Sequence, residues 1–160
     1  MPDILVKLYT LPPLDLSRPQ AAGIDIRRSL APEKHIVTDW VRRYFSPGWA
    51  SETDVAYSRV PVSCFVAVQD SRLLGFACYD VTRRGFFGPI GVDESQRGSG
   101  IGAALFMACM HAMWAEGYGY AIIGAAGPVD FYLRLVDGFV IEDSWPGVYR
   151  GLLRGENGNG

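Results

Sequence analysis

The chain has 160 residues, of which 49% are hydrophobic, and its formal net charge is −2. This length suffices to bury one core without disulfides or metals. The balanced charge gives no basic surface for nucleic acid, no segment approaches the roughly 18 apolar residues of a membrane span, and "MPDILVKLYTLPP" does not resemble a signal peptide. We therefore expect a cytoplasmic protein with one domain over residues 1–154 and a disordered tail, "GENGNG", at 155–160.

The first half of the chain predicts a strand followed by helices. "DILVKLYT" is typical of a strand, and the proline-rich "PPLDLSRPQAAG" predicts a loop. A helical pattern begins at Ala31, where Pro32 suits the first turn and apolar residues follow at Ile36, Val37, Trp40, Val41 and Tyr44. "SPG" ends this helix, and "WASETDVAYSR" predicts a second, shorter one.

The second half predicts most of a sheet. "VSCFVAVQ", "LLGFACYDV" and "FFGPIGV" are short apolar runs separated by tight polar turns, which favours an antiparallel meander. An apolar helix runs from Ile101 to near Gly117, followed by "YGYAIIGAA" as a strand, "PVDFYLRLV" as a short helix and "GFVIED" as a strand. This alternation predicts crossovers with parallel pairing. The expected fold class is α/β, with a mixed, mostly antiparallel central sheet and flanking helices in a single domain.

The cysteines and histidines predict packing rather than chemistry. Cys64, Cys78 and Cys109 form an odd set without CxxC spacing, and each lies in an apolar run. His35 and His111 are far apart in the chain, and neither forms a zinc-ligand motif together with a cysteine. We expect three core cysteines and no metal site.

Three alternating glycines mark a candidate anion site. Gly98, Gly100 and Gly102 lie where a predicted strand gives way to the long apolar helix. The first turn of a helix has N–H groups without intrahelical partners and the positive end of the dipole. Without Cβ atoms in the way, a phosphate can approach these N–H groups, and Arg97 adds a cation at the rim.

Three other interpretations of this loop compete with an anion site. The plainest is a flexible turn before a helix, but glycine inside the helix at Gly102 costs roughly 1 kcal/mol against alanine. A dinucleotide fingerprint fits Gly98, Gly100 and Ala103, yet Asp93–Gln96 separate the loop from its strand and "AIIGA" lacks the expected acid. A P-loop needs a lysine, which this segment lacks.

The loop and a downstream segment together resemble a known family. Arg97-x-x-Gly100-x-Gly102 before a long helix resembles Arg/Gln-x-x-Gly-x-Gly/Ala, the acetyl-CoA signature of the GNAT superfamily of N-acetyltransferases. "VDFYLRLVDGF" resembles the second motif of that family, a helix bearing Phe-Tyr followed by Gly-Phe on the next strand. The resemblance covers roughly residues 62–143. It implies a GNAT fold, acetyl-CoA as cosubstrate and direct transfer without a covalent acyl-enzyme.

The resemblance also implies roles for particular residues. Tyr132 falls on the family's tyrosine that protonates the departing thiolate, and the strand residues Ile90, Gly91 and Val92 would pair with pantetheine, with Gly91 or Val92 donating to the oxyanion. The loop residues whose N–H groups would hold the CoA pyrophosphate are Arg97, Gly98, Ser99, Gly100, Ile101, Gly102 and Ala103.

The general base and the acceptor are less defined. "FFGPIGV" lacks the carboxylate that several family members carry on this strand, which leaves Asp80, Glu52, Asp54 or a water chain. A weak base favours an amine of lowered pKa, such as that of an amino sugar, over a protein lysine. The aromatic residues available to line an acceptor pocket are Trp40, Tyr44, Trp49, Tyr57, Trp145 and Tyr149.

These residues predict an acetyl-CoA-dependent N-acetyltransferase acting on a small primary amine. The alternatives left open are a catalytically weak acyl-CoA-binding or interaction module, a transferase acting on protein or peptide amines, and an acyl group larger than acetyl. The expected partners are acetyl-CoA and a small amine, without nucleic acid, membrane or metal. A homodimer stays open.

Overall fold

A seven-stranded sheet organises the chain, in the order β2-β3-β4-β5-β6-β1-β7. The computed structural model describes residues 1–156, so most of the predicted tail lies outside the described residues. The strands are β1 (Asp3–Lys7), β2 (Asp25–Arg28), β3 (Cys64–Gln69), β4 (Arg72–Tyr79), β5 (Phe86–Val92), β6 (Tyr120–Ile123) and β7 (Gly138–Ile141). The helices are α1 (Ser17–Ala21), α2 (Lys34–Tyr44), α3 (Pro47–Val55), α4 (Ile101–Ala115) and α5 (Val129–Leu133).

Helices cover the sheet on both faces and divide the core into two clusters. On one face α4 buries residues such as Leu105 and Phe106 against β4 and β5, which explains why this helix is apolar nearly all round. On the other face α2 and α3 pack Val41 and Ala50 against Phe76 of β4. The expected α/β class with a mostly antiparallel sheet is confirmed. Within residues 1–156, no helix has the length and apolar character needed to cross a bilayer.

The three cysteines belong to these two clusters. Cys109 lies in the α4 cluster, whereas Cys64 and Cys78 lie in the cluster under α2 and α3. All three are free and buried, which confirms the predicted core packing. Burial raises the pKa of the Cys78 and Cys109 thiols well above the usual range, because an apolar environment penalises a thiolate.

The stretch between β1 and α2, of which residues 12–23 were predicted as a loop, contains more structure than expected. Ser17–Ala21 forms the short helix α1, and Asp25–Arg28 forms β2, an edge strand that pairs with β3. The signal for β2 was present as alternation, since Ile24 and Ile26 are buried while Asp25 is exposed. The prolines and glycine of the neighbouring sequence concealed this short strand.

Parallel pairing in the second half was predicted too broadly. β5 and β6 are parallel, as expected. β7 does not pair with β6, because β1 inserts between them and is antiparallel to both. Ile4 and Val6 of β1 are fully buried, so the apolar N-terminal segment gains more burial between two strands than at an edge.

The separation of β5 from β6 positions the candidate site. The two strands pair at Phe86↔Ile122 and Phe87↔Ile123 in the described register, after which β5 continues with β4 as its partner. Between Phe87 and Ile90, β5 has one more residue than the facing part of β4, so Gly88–Pro89 forms a bulge. The bulge turns the strand and leaves an open edge beside the end of β6.

Candidate active site

The open edge of β5 forms one wall of a cavity of about 440 Å³. The end of β6 forms the opposite wall, and α3, α5 and the segment after β7 close the sides. The residues that bear on the chemistry are Gly88, Pro89 and Ile90 of β5, Trp49 and Glu52 of α3, Tyr132 of α5, and Trp145 and Tyr149. A cavity of this size in a splayed sheet, mainly apolar with a few polar groups, is typical of a small-ligand site.

Backbone groups of β5 are available to a ligand along this edge. The N–H of Asp93 donates to the carbonyl of Leu74 on β4 at 2.7 Å. Because bonding alternates along an antiparallel ladder, Gly91 two residues earlier also directs its N–H and C=O towards β4. Ile90 and Val92 therefore direct theirs away from β4. Gly91 and Val92 were the expected N–H donors to the oxyanion. The N–H of Val92 points away from β4 and is available to a ligand, whereas that of Gly91 points towards β4. The N–H of Ile90 is available in the same way as that of Val92.

Gly91 has a packing role as well. A Cβ at this position would lie 2.4 Å from Cζ of Phe45, so only glycine allows that ring to rest on the strand. Phe45 in turn stacks on Trp49 with ring centroids 5.2 Å apart. The strand's bare backbone thus supports the aromatic residues at one end of the cavity.

The glycine loop precedes α4 with an unusual backbone. Gly98 and Gly100 both have φ of +85°, a left-handed conformation that side chains disfavour. Two of the three glycines are therefore required by conformation, in addition to any clearance they provide. Gly102 lies inside α4, where a Cβ would meet Phe131 and Val92 at an ordinary 3.7 Å.

Free N–H groups are present at the start of α4. Ala104 donates to the carbonyl of Gly100 at 3.1 Å, which leaves the N–H groups of Ile101, Gly102 and Ala103 without partners from the helix. The N–H groups of Arg97 and Ser99 instead donate within the preceding turn, at 3.4 and 3.3 Å. The anion-binding capacity is thus concentrated in the first helical turn.

Arg18 is a cation that sequence reasoning missed. It lies on α1, and its Nη2 donates to the carbonyl of Gly98 at 2.7 Å. Its side chain also passes over Gly100, where a Cβ would lie 3.0 Å from Cδ. The contact spans 80 residues of sequence, and no local pattern in the proline-rich segment points to it. With Arg97, it gives the glycine loop a second guanidinium.

Tyr132 lies in the same cavity as the open edge of β5. It is only 5% exposed and packs edge-on against Phe106 and Phe87, at centroid distances of 5.1 and 6.2 Å. Burial raises the pKa of Tyr132 to about 12. A phenol with this pKa stays protonated at any physiological pH, so in its resting state Tyr132 is a proton donor and does not deprotonate the incoming amine.

The three carboxylates considered as bases have different surroundings. Asp80 accepts from Arg59 at 3.1 Å and from Tyr118 at 2.8 Å, which identifies it as part of a structural network. Asp54 is exposed and paired with Lys34 at 3.1 Å. Glu52 lines the cavity.

Glu52 sits in a mainly apolar environment. Its carboxylate accepts a hydrogen bond from the hydroxyl of Thr82. Burial raises the pKa of Glu52 above its ordinary value, and the Thr82 hydrogen bond partly offsets that effect. No pattern in the sequence singles out Thr82, which lies in the turn between β4 and β5.

The six aromatic residues proposed for the acceptor pocket divide into two groups. Trp49, Trp145 and Tyr149 line the cavity. Trp40 and Tyr57 pack against the core under α2 and α3, and Tyr44 is exposed. Within the described residues, no group of three or more His, Cys, Asp or Glu side chains could hold a metal ion.

Comparison with known families identifies the class of protein. The model of the acetyltransferase (GNAT) family matches residues 34–135, from α2 to α5. This chain therefore belongs to the GNAT acetyltransferase family. β1, α1 and β2 lie outside the matched range, and so does Arg18. No curated protein sequence matches the chain.

Solved structures agree on the fold. A GCN5-related glucosamine N-acetyltransferase region of a fungal multi-domain GH3 β-N-acetylglucosaminidase aligns with a TM-score of 0.71 and 16% identity, covering 87% of this chain and 20% of that one. A GCN5-related N-acetyltransferase from Sphaerobacter thermophilus aligns at 0.68 and 19%, covering 88% and 48%. A GNAT acetyltransferase from Brucella melitensis, solved with acetyl-CoA, aligns at 0.51 and 20%, covering 69% and 80%. The chain thus spans half or less of the first two proteins.

Proposed function

We propose that this protein transfers an acetyl group from acetyl-CoA directly to the primary amine of a small molecule. The observation that carries the proposal is that Tyr132 and the open edge of β5 line one cavity. A proton donor and a row of unpaired backbone groups are the two elements that a thioester needs beside it. Family membership and the Brucella melitensis complex support acetyl-CoA as the donor.

Each part of the cosubstrate has a suitable partner. The pyrophosphate would bind the free N–H groups at the start of α4, with Arg18 and Arg97 supplying positive charge. The pantetheine amides would pair with Ile90 and Val92, whose backbone groups point away from β4. The remaining loop residues, Gly98, Ser99 and Gly100, would shape the turn around the phosphates.

The reaction then requires stabilisation of the oxyanion, protonation of the leaving sulfur and deprotonation of the amine. An unpaired N–H of β5 would stabilise the oxyanion as the amine attacks the carbonyl. Tyr132 would give its proton to the sulfur as the C–S bond breaks, which prevents the build-up of a thiolate in an apolar cavity. The amine must lose its proton before it attacks.

The deprotonation step favours an amine of lowered pKa. At pH 7 an amine with a pKa near 10.4 is neutral in roughly 1 molecule in 2,500, a deficit of about 4.6 kcal/mol. An amino-sugar amine, acidified by its oxygen neighbours, needs less help. The fungal neighbour, a glucosamine N-acetyltransferase region, supports the same substrate class. The aromatic walls at Trp49, Trp145 and Tyr149 suit the apolar face of a ring.

A thiol-release assay tests the proposal. Purified protein is mixed with acetyl-CoA and, in turn, amino sugars, amino acids, polyamines and lysine peptides, and products are identified by mass. We expect CoA release with an amino sugar or another small amine. CoA binding without release for any amine would instead identify an acyl-CoA-binding module. A preference for lysine peptides or polyamines would overturn the substrate class but not the activity.

A further inference from the structure

Glu52 is the only charged side chain among residues 1–156 that lines the cavity. Glu33, another partly buried glutamate, pairs with Arg27 at 2.7 Å. Asp3 is buried and has no salt bridge in the described residues, but it lies outside the cavity lining and accepts from the N–H of Ala125 at 2.8 Å. In the described residues no cation pairs with Glu52. A carboxylate held in an apolar cavity without a counter-ion is costly unless a ligand supplies one.

The position of Glu52 is fixed by the elements around it. The side chain of Ser46 caps α3, where it accepts from the N–H of Trp49 at 3.1 Å, so the helix begins at a defined point. Trp49 and Glu52 are three residues apart and share one face of the helix. The hydroxyl of Thr82 then orients the carboxylate.

From this arrangement, and resting on the proposed function, we propose that Glu52 binds the ammonium group of the acceptor and removes its proton. Tyr132, the proton donor, lines the same cavity, so the two groups can act on opposite sides of one reaction. The acceptor class that follows is a singly charged primary amine on a neutral, ring-shaped body. An amine that carries a nearby carboxylate would be repelled by Glu52.

The proton balance of this step closes without a further reactant. Glu52 takes one proton from the ammonium, and the neutral nitrogen attacks the thioester carbonyl. As the C–S bond breaks, Tyr132 gives its proton to sulfur and regains one from the nitrogen. Glu52 returns its proton to water. The products are one amide, one CoA thiol and one released proton.

The other titratable side chains that line the cavity with Glu52 are two tyrosines, and Met1, which bears the chain's amino group, also lines it. Tyr149 lies across the cavity, where its hydroxyl would be 3.1 Å from a Cβ on Gly124, and Tyr132 lies on α5. Burial raises the pKa of both phenols, so neither changes charge between pH 5 and 9. Among the side chains of the cavity, Glu52 alone can therefore produce the acidic limb of the pH–rate profile, which lies above the ordinary glutamate range.

The test replaces Glu52 with its neutral isostere. We expect Glu52→Gln to lower kcat/KM for the amine about a hundredfold at pH 7, with acetyl-CoA affinity unchanged, and to replace the acidic limb of Glu52 with a limb at the higher pKa of the acceptor amine. The loss should shrink at high pH, where the amine deprotonates unaided. The matched control is Asp54→Asn on the same helix, which is exposed and should leave the profile unchanged. Thr82→Val should move the acidic limb to higher pH. The Thr82 hydrogen bond stabilises the ionised carboxylate of Glu52, so its removal raises the pKa of Glu52 further.

A binding measurement gives a readout that does not need turnover. Calorimetry in the presence of CoA compares glucosamine with glucose and benzylamine with benzyl alcohol. We expect the wild type to prefer the amine of at least one pair about tenfold or more, and Glu52→Gln to abolish the preference. If the active wild type and Glu52→Gln share one pH profile, the role of Glu52 is refuted while the acetyltransferase stands. If neither amine is preferred over its alcohol, the ammonium site is refuted whether or not the protein turns over.

Discussion

Removal of the Tyr132 hydroxyl is the most direct perturbation of the proposed chemistry. The ring packs against Phe87 and Phe106, and Tyr132→Phe keeps those contacts. The hydroxyl faces a cavity, so its loss should leave the free energy of unfolding nearly unchanged. We expect acetyl-CoA binding to persist and kcat to fall.

The size of the effect follows from the burial of the phenol. With the pKa of Tyr132 at about 12 and a thiol near 8.5, full proton transfer in the ground state is uphill by about 5 kcal/mol. The same apolar cavity also raises the pKa of the thiol, because it penalises the thiolate. The pKa difference between the phenol and the thiol therefore narrows as the C–S bond breaks. Proton donation of this kind contributes about a hundredfold to ten-thousandfold, and we expect kcat to fall by about a thousandfold.

Burial also predicts a pH dependence. Because the pKa of Tyr132 lies at about 12, only about 1% of the phenol is ionised at pH 10, and wild-type kcat should stay flat to about pH 11. An exposed tyrosine would give a descending limb near pH 10.

The assay measures CoA thiol release and acetyl-CoA affinity for the same protein samples. Tyr118→Phe is the control, because it removes a phenol hydroxyl bound to Asp80 without touching the cavity. If Tyr132→Phe retained wild-type kcat, or if wild-type kcat declined with a midpoint near pH 10, the assignment of Tyr132 as proton donor would be refuted.

Three further predictions concern binding and stability. Gly98→Ala should cost about 1–2 kcal/mol of unfolding free energy from its left-handed φ, whereas Gly102→Ala should be neutral or stabilise by up to about 1 kcal/mol, as measured by denaturant titration. Arg18→Ala should raise the Kd for acetyl-CoA about tenfold, more at low than at high salt, and equal Kd values would exclude a phosphate contact. Glu33→Gln should destabilise the protein at pH 7, because Arg27 holds the pKa of Glu33 at about 2; this difference should vanish as the pH falls from about 4.5 through 2.

Most of the helices and strands could be predicted from local sequence patterns. β5 was predicted with its observed bounds, because the turn "TRRG" precedes it and the apolar run stops at Asp93. The long helix α4 followed from the mainly apolar run between Gly100 and Gly117. In both cases the signal lies within the element and its caps, so no tertiary contact was needed to find it.

Features that depend on distant contacts could not be read in the same way. "DILVK" looks like a strand, but its place between β6 and β7 depends on two partners more than 110 residues away, Tyr120–Ile123 and Gly138–Ile141. The contact of Arg18 with Gly98 and the hydrogen bond from Thr82 to Glu52 likewise join residues without sequence proximity. Residue type suggests which residues could take part in the site, and the topology of the fold determines which of them come into contact.

The missing carboxylate on β5 has a structural explanation that connects the fold to the chemistry. The strand offers Gly88, Pro89 and Gly91 around the bulge, and the bare backbone at Gly91 allows Phe45 to rest directly on it. Phe45 stacks on Trp49, and Glu52 follows one turn later on the same helix face. A side chain at position 91 would displace Phe45, and with it the helix that carries the candidate base. The glycine that deprives the strand of a functional side chain is therefore the residue that lets α3 supply one.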